Sequence, residues 1–119
     1  MDPRAITGRF GEDLAAVFLV NCGYRCLARR WRRAGGEIDL VMARPGVIAF
    51  VEVKTRGPGS LGAAVDAVSP AQLRRLRRLA GRWCAEHPSG DALLRLDVVT
   101  VDLAGEGRGL ALRHFRGVG

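Results

Sequence analysis

Lysine is almost missing from this chain: of its 19 basic residues, Lys54 alone is lysine and the other 18 are arginine. A lone ammonium kept against that bias invites a chemical reason, because arginine is larger and always protonated, although composition alone leaves chance survival equally open. Cysteine is scarce as well, with Cys22, Cys26 and Cys84 making an odd number and no second Cys or His pair beside the first two. That excludes a disulfide framework, leaves zinc without a ligand set, and points to packed free thiols in a reduced, cytoplasmic protein with no signal peptide in view. Long apolar runs are absent too. The stretch around Leu14 to Val20 is the best candidate and falls far short of the ~20 residues needed to span a bilayer, so a soluble protein with no membrane contact is expected.

Negative charge is the minority: 12 acidic residues face 19 basic ones, for a formal net charge of +7. A polyanionic partner follows, nucleic acid first. A chain of 119 residues suits one α/β domain, spanning 1–119 with residues 1–6 as a flexible N-terminus, and buries roughly two-thirds of its unfolded surface.

The pattern of apolar residues divides the chain without any repeat or linker. Thr7 can cap a helix running to Cys22, with Phe10, Leu14, Val17 and Phe18 on one face and Gly23 as the stop. Three strands follow, Tyr24 to Trp31, Glu37 to Met42 and Val47 to Lys54, with Pro45-Gly46 as a turn, and they read as an antiparallel meander. The Gly- and Pro-rich run from Arg56 to Ala63 reads as a mobile loop. Ser69-Pro70 starts a second helix whose Leu73, Leu76, Leu79, Ala80 and Trp83 recur at helical spacing until Glu86. A fourth strand from Leu93 to Asp102, a turn with Gly105, Gly107 and Gly109, and a short strand from Leu110 to Phe115 complete the order.

Glu37 and Asp39 lie two apart on one strand, so both leave the same sheet face while Ile38, Leu40 and Met42 take the other. Glu52 and Lys54 repeat the geometry on the next strand. Val51 and Val53 flank Glu52, and a carboxylate inside an apolar run costs several kcal/mol unless it is paired or bound to a cation. One account is a cross-strand salt bridge, Asp39 or Glu52 with Lys54 or Arg56. The other is a site where Asp39 and Glu52 hold Mg²⁺ or Mn²⁺ against a phosphate, with Lys54 serving the attacking water. Glu12 could reach the same cluster from the first helix, though an acidic residue in a first helical turn is also favoured by the helix dipole.

The runs Gly36-Glu37-Ile38-Asp39-Leu40 and Phe50-Val51-Glu52-Val53-Lys54-Thr55-Arg56 resemble the YraN family of bacterial proteins, themselves similar to Holliday junction resolvases of the PD-(D/E)XK nuclease superfamily. The likeness extends through Gly8 to Ala15, Gly23-Tyr24, Ala64 to Ala80 and Leu96 to Val99. It implies a restriction-endonuclease-like αβββαβ core with a central mixed sheet flanked by helices. It also implies that Asp39 and Glu52 ligate the metal, that Lys54 serves the water and that Glu12 completes the site. Resolvase-like chemistry further implies a homodimer, since two nicks need two sites. Where the family commonly has a lysine at the start of the second helix, this chain has Gln72, which can hydrogen-bond a phosphate but brings no charge.

The second helix carries Arg74, Arg75, Arg77, Arg78 and Arg82 away from its leucines, and like charges at four-residue spacing oppose helix formation. Phosphate contact accounts for them, with Arg56 and Gln72 at the same end and Arg29, Arg30, Arg32 and Arg33 as an extension; a merely solvated basic surface accounts for them too. Trp31 could stack on a base or pack at a strand end. The leading expectation is a metal-dependent endonuclease acting on DNA, branched DNA included. A non-catalytic nucleic-acid-binding module that keeps the nuclease fold, or a scaffold for a protein partner, stands beside it.

Overall fold

The computed structural model describes residues 3–57, 67–103 and 109–119, with side chains from Gly8 onward. Within them run α1 (Pro3–Asn21), β1 (Arg25–Arg33), β2 (Gly36–Arg44), β3 (Val47–Arg56), α2 (Pro70–Glu86), β4 (Leu93–Leu103) and β5 (Leu110–Phe115). This is the αβββαβ order expected from the sequence, with β5 added at the edge. Most of the Arg56 to Ala63 loop and the Gly105 to Gly107 turn lie outside the described residues.

The sheet has the order β1-β2-β3-β4-β5. The first three strands form the antiparallel meander, β3 and β4 are parallel across the α2 crossover, and β5 returns antiparallel. Parallel neighbours need such a crossover, and Ser69 fixes where it begins. Its hydroxyl accepts the Gln72 N–H at 3.1 Å while Gln72 Oε1 accepts the Ser69 N–H at 2.7 Å, a closed capping box with Pro70 just inside the helix.

Each helix covers one face of the sheet. On one side Ala15 and Leu19 of α1 pack with Leu40, Met42, Ala49, Val51, Val99 and Val101. On the other, Leu76, Leu79, Ala80 and Trp83 of α2 pack with Ile38, Val41 and Phe50. Trp31 meets Trp83 edge to face at 5.4 Å, so it serves as rim packing.

Three expectations are corrected. The first concerns α1, which begins at Pro3 rather than after a Thr7 cap, so residues 3–6 of the expected flexible terminus are helical. Its inward face is Gly11, Ala15 and Leu19, whereas Phe10 and Val17 are exposed. Small residues win there because they let the helix lie close on β3: a Cβ on Gly11 would overlap the Thr55 hydroxyl. The second concerns β2, where Ile38 belongs to the α2-side core and Leu40 and Met42 to the α1 side. The alternation slips at Asp39, across from Arg30, whose backbone is left-handed at φ 48°. The third concerns the thiols: Cys22 and Cys26 are free as expected but exposed rather than packed.

Candidate functional site

The β2–β3 ladder runs from Arg44–Val47 to Leu40–Val51 and stops there. Beyond it, the Val53 N–H turns to a side chain: Asp39 Oδ2 accepts it at 2.8 Å. Asp39 is thereby fixed at the mouth between the two strands, 9% exposed. Glu37 follows on the same strand, and α1 brings Glu12 down beside them. One carboxylate oxygen from each of Glu12, Glu37 and Asp39 lies within 4.8 Å of the other two.

Glu12 stands in the middle of α1, not in its first turn. The helix dipole acts only at the terminal turns, so it does not account for this residue. Glu12 Oε1 is buried without a hydrogen-bond partner, although the Arg30 guanidinium approaches to 3.5 Å. Arg32 is bonded to Glu37 at 2.8 Å.

Glu52 and Lys54, two residues apart on β3, sit next to the trio. Among the described residues Glu52 belongs to no three-carboxylate cluster, and its Oε1 lies 3.8 Å from Lys54 Nζ. The pairing that the sequence offered as its simpler account is thus present within one strand. Arg56 pairs instead with Asp102 of the parallel neighbour at 2.6 Å.

Crowding of carboxylates leaves a clear electrostatic mark. Burial, then the charge of Glu52, push the Asp39 carboxyl up to about 8, against the opposing Val53 N–H. Burial raises Glu12 as well, with Glu37 adding to it and Arg30 working against it. Glu52 is raised by burial even though Lys54 and Arg75 pull it down. Burial, the largest cause in each case, favours the protonated form of all three, and the positive charges facing Glu12 and Glu52 do not reverse it.

The residues suit a divalent cation. The donors are all hard carboxylate oxygens, the class that Mg²⁺ and Mn²⁺ take. Glu12 Oε1, buried and without a hydrogen bond although Arg30 stands 3.5 Å away, keeps its lone pairs open to a cation.

Comparison with known proteins locates the chain. A model described as "Uncharacterised protein family UPF0102" matches residues 11–101. The chain belongs to the UPF0102 family. That is the family the sequence resemblance names as YraN. A UPF0102 protein of Mycolicibacterium gilvum is 48% identical over 120 residues, covering 99% of this chain and 97% of its own. One from Parafrankia sp. is 46% identical over 110 residues, 92% of each chain. Another, from Clavibacter michiganensis, is 48% identical over 94 residues, covering 79% and 80%. The span matched to UPF0102 contains Glu12, Glu37, Asp39, Glu52, Lys54 and Arg75.

The basic residues of this UPF0102 member divide by position. Arg75 is half-buried and passes over Gly36, where a Cβ would sit 3.0 Å from its Cδ, and its charge reaches Glu52. Arg78 lies over Gly35 in the β1–β2 turn. Arg74 is exposed, and Arg82 joins Arg33 on Glu86. Gln72 is committed through its oxygen to the capping box, a role its position three residues after Ser69 made readable.

Sequence reasoning left the role of Glu37 open and missed the buried group around Asp97. Asp97, with no exposed surface, takes Arg95 in a two-pronged bond with both contacts at 2.8 Å. It also accepts from His114 at 2.7 Å and from the Gly117 N–H at 3.1 Å. Arg95 continues to the Tyr24 hydroxyl. An aspartate inside the Leu-Asp-Val-Val run was the available signal, since a buried charge needs partners. Among the described residues no helix is long and apolar enough to cross a membrane.

Proposed function

We propose that this chain is a divalent-metal-dependent nuclease that hydrolyses phosphodiester bonds of DNA, with branched DNA as the first substrate to try. The observation that carries the reading is the convergence of Glu12, Glu37 and Asp39 within 4.8 Å, beside Glu52 and Lys54. Glu12, Glu37 and Asp39 would hold the cation, and Glu52 stands one strand away to join them when Lys54 releases it. A bound Mg²⁺ or Mn²⁺ supplies a Lewis acid that polarises a phosphate and lowers the pKa of water.

The chain's own groups do the rest. Lys54, partly exposed at the end of β3, can orient the attacking water and offset negative charge growing on phosphate oxygens. Arg75 adds positive charge from α2, and Arg74 and Arg78 extend it outward along the nucleic acid backbone. Asp39 is held by Val53 N–H and so meets the cation already aimed. Cutting two strands of a junction asks for two sites, and a homodimer is part of the proposal. The three free cysteines suit a reducing, cytoplasmic setting.

Labelled duplex, single-stranded and junction DNA incubated with the protein in Mg²⁺ or Mn²⁺ test the reading. Products that disappear in Asp39→Ala and Glu52→Ala support it; no cleavage above those variants sinks it.

Two observations favour a second reading, a binding module without turnover: Glu52 is engaged by Lys54, and Gln72 is closed into its helix cap. That protein would keep its affinity for DNA in Asp39→Ala and lose it in a triple Arg74, Arg75 and Arg78 to Ala variant. Unchanged affinity in the triple variant counts against it.

A further inference from the structure

Among the described residues Arg30 is the one non-glycine with a left-handed backbone, at φ 48° in the middle of β1. A side chain in that conformation carries a strain that glycine would not. The neighbours show what the distortion achieves. Arg29 and Arg30 are consecutive, so an undistorted strand would send them to opposite faces; instead both reach α1, Arg29 at Asp13 and Arg30 at Glu12.

The two contacts that β1 makes with the carboxylate trio differ in kind. Arg32 is hydrogen-bonded to Glu37. Arg30 stands 3.5 Å from Glu12 Oε1, and that buried oxygen accepts no hydrogen bond. Arg30 therefore neutralises Glu12 by charge alone. Its side chain is 39% exposed where that of Glu12 is 13% exposed, so the guanidinium lies on the solvent side of the pair.

We propose that Arg30 is a displaceable counter-ion and phosphate-binding residue: it neutralises Glu12 in the cation-free protein, yields that carboxylate to a divalent cation, and then receives an oxygen of the substrate phosphodiester. The inference rests on the trio being a cation site. A guanidinium and a metal ion compete for the same lone pairs and repel each other, so one must leave as the other arrives. The longer, unbonded contact is the one that yields. A guanidinium freed at the mouth of the site is a planar fork matched to phosphate oxygens. Retaining arginine where the backbone favours glycine is consistent with a role in binding rather than in stability.

Arg30→Gly is the informative variant, because it suits the backbone while removing the charge. Its Tm is expected to equal or exceed that of the wild type. Calorimetric titration without DNA should show Mn²⁺ binding about threefold tighter, since one repelling charge is gone. The KM for DNA cleavage in Mn²⁺ should rise about tenfold, with kcat within about twofold, as for a lost charge-assisted contact. Arg30→Gln should shift both quantities the same way. Arg29→Gln, whose direct partner Asp13 lies outside the trio and whose charge acts on Glu12 less than that of Arg30, should change Mn²⁺ affinity less than Arg30→Gln does.

Equal or weaker Mn²⁺ binding by Arg30→Gly, an unchanged KM, or the same gain in Arg29→Gln overturns the assignment while the cation site stands. A wild-type protein that binds no Mn²⁺ overturns the cation site itself, and this inference with it.

Discussion

Asp39 Oδ2 accepts the Val53 N–H at 2.8 Å, so a side chain takes the place of the next backbone bond just where the β2–β3 ladder ends. The bond holds the carboxylate in an environment that disfavours its charge. Burial and the nearby Glu52 push it up to about 8, well above the ~3.9 of an unfolded aspartate. Between those values the folded chain binds more protons than the unfolded one, so this group's contribution falls as pH rises from about 4 to 8.

The Asn variant separates the hydrogen bond from the charge. Asp39→Asn keeps an oxygen for Val53 and removes the carboxylate. Urea denaturation of the metal-free protein should therefore show Asp39→Asn gaining on the wild type as pH rises toward 8, and losing the fall assigned to Asp39. Added Mn²⁺ should stabilise the wild type increasingly over the same range and have little effect on the variant. Parallel pH profiles with and without Mn²⁺ would sink the electrostatic account of this site.

Asp97 carries the opposite sign. Burial alone would raise its carboxyl, but His114, Arg95 and the Gly117 N–H outweigh that and hold it below the usual carboxylate value. Its stabilisation is fully present above the unfolded value of about 3.9 and is lost as pH falls through the lower folded one. Asp97→Ala would leave Arg95 and the Gly117 N–H without their acceptor, at a cost of about 3–5 kcal/mol. Chemical denaturation at pH 7 measures it, and the loss should shrink as pH falls through the lowered carboxyl value. A loss under 1 kcal/mol would mean that the network is not the anchor its geometry describes.

What the sequence made legible follows where its chemical signals were strong. Alternation gave the place of β2, β-forming residues that of β3, and Ser69-Pro70 the start of α2, because each reports a local rule; the facing of Ile38 was lost at the slip by Asp39. The inward face of α1 was hidden because Gly11 and Ala15 carry little hydrophobic signal, while Phe10 and Val17 carry much and point outward. What decides that face is close approach to Thr55, a contact 44 residues away in the chain. Asp39, Glu52 and Lys54 could be picked out as costly groups in apolar strands. The grouping of Glu12 with Glu37 and Asp39 could not, because it depends on where α1 lands and on the slip at Asp39 across from Arg30. His114 and Asp97 meet across the β4–β5 pair, and nothing local to either residue announces the other.

Close approach at Gly11 also ties stability to the site, because Glu12 is the next residue. A Cβ at position 11 would overlap Thr55 Oγ1 and sit 3.1 Å from Thr55 Cβ. The helix would have to move away from β3, and Glu12 would move with it. In a helix interior Gly→Ala is ordinarily favourable by about 0.5–1 kcal/mol, so a net loss here would report the clash. Gly11→Ala is expected to destabilise by about 1–3 kcal/mol, the usual range for overpacking, and to weaken Mn²⁺ binding. Thr55→Ala removes the closest atoms while leaving Cβ, so adding it should recover part of both losses. Denaturation and Mn²⁺ titration of the two single variants and the double variant measure that coupling. Additive losses, or a Gly11→Ala protein as stable as the wild type, would show that Thr55 does not set the position of α1, and that the glycine is not what brings Glu12 to the carboxylates.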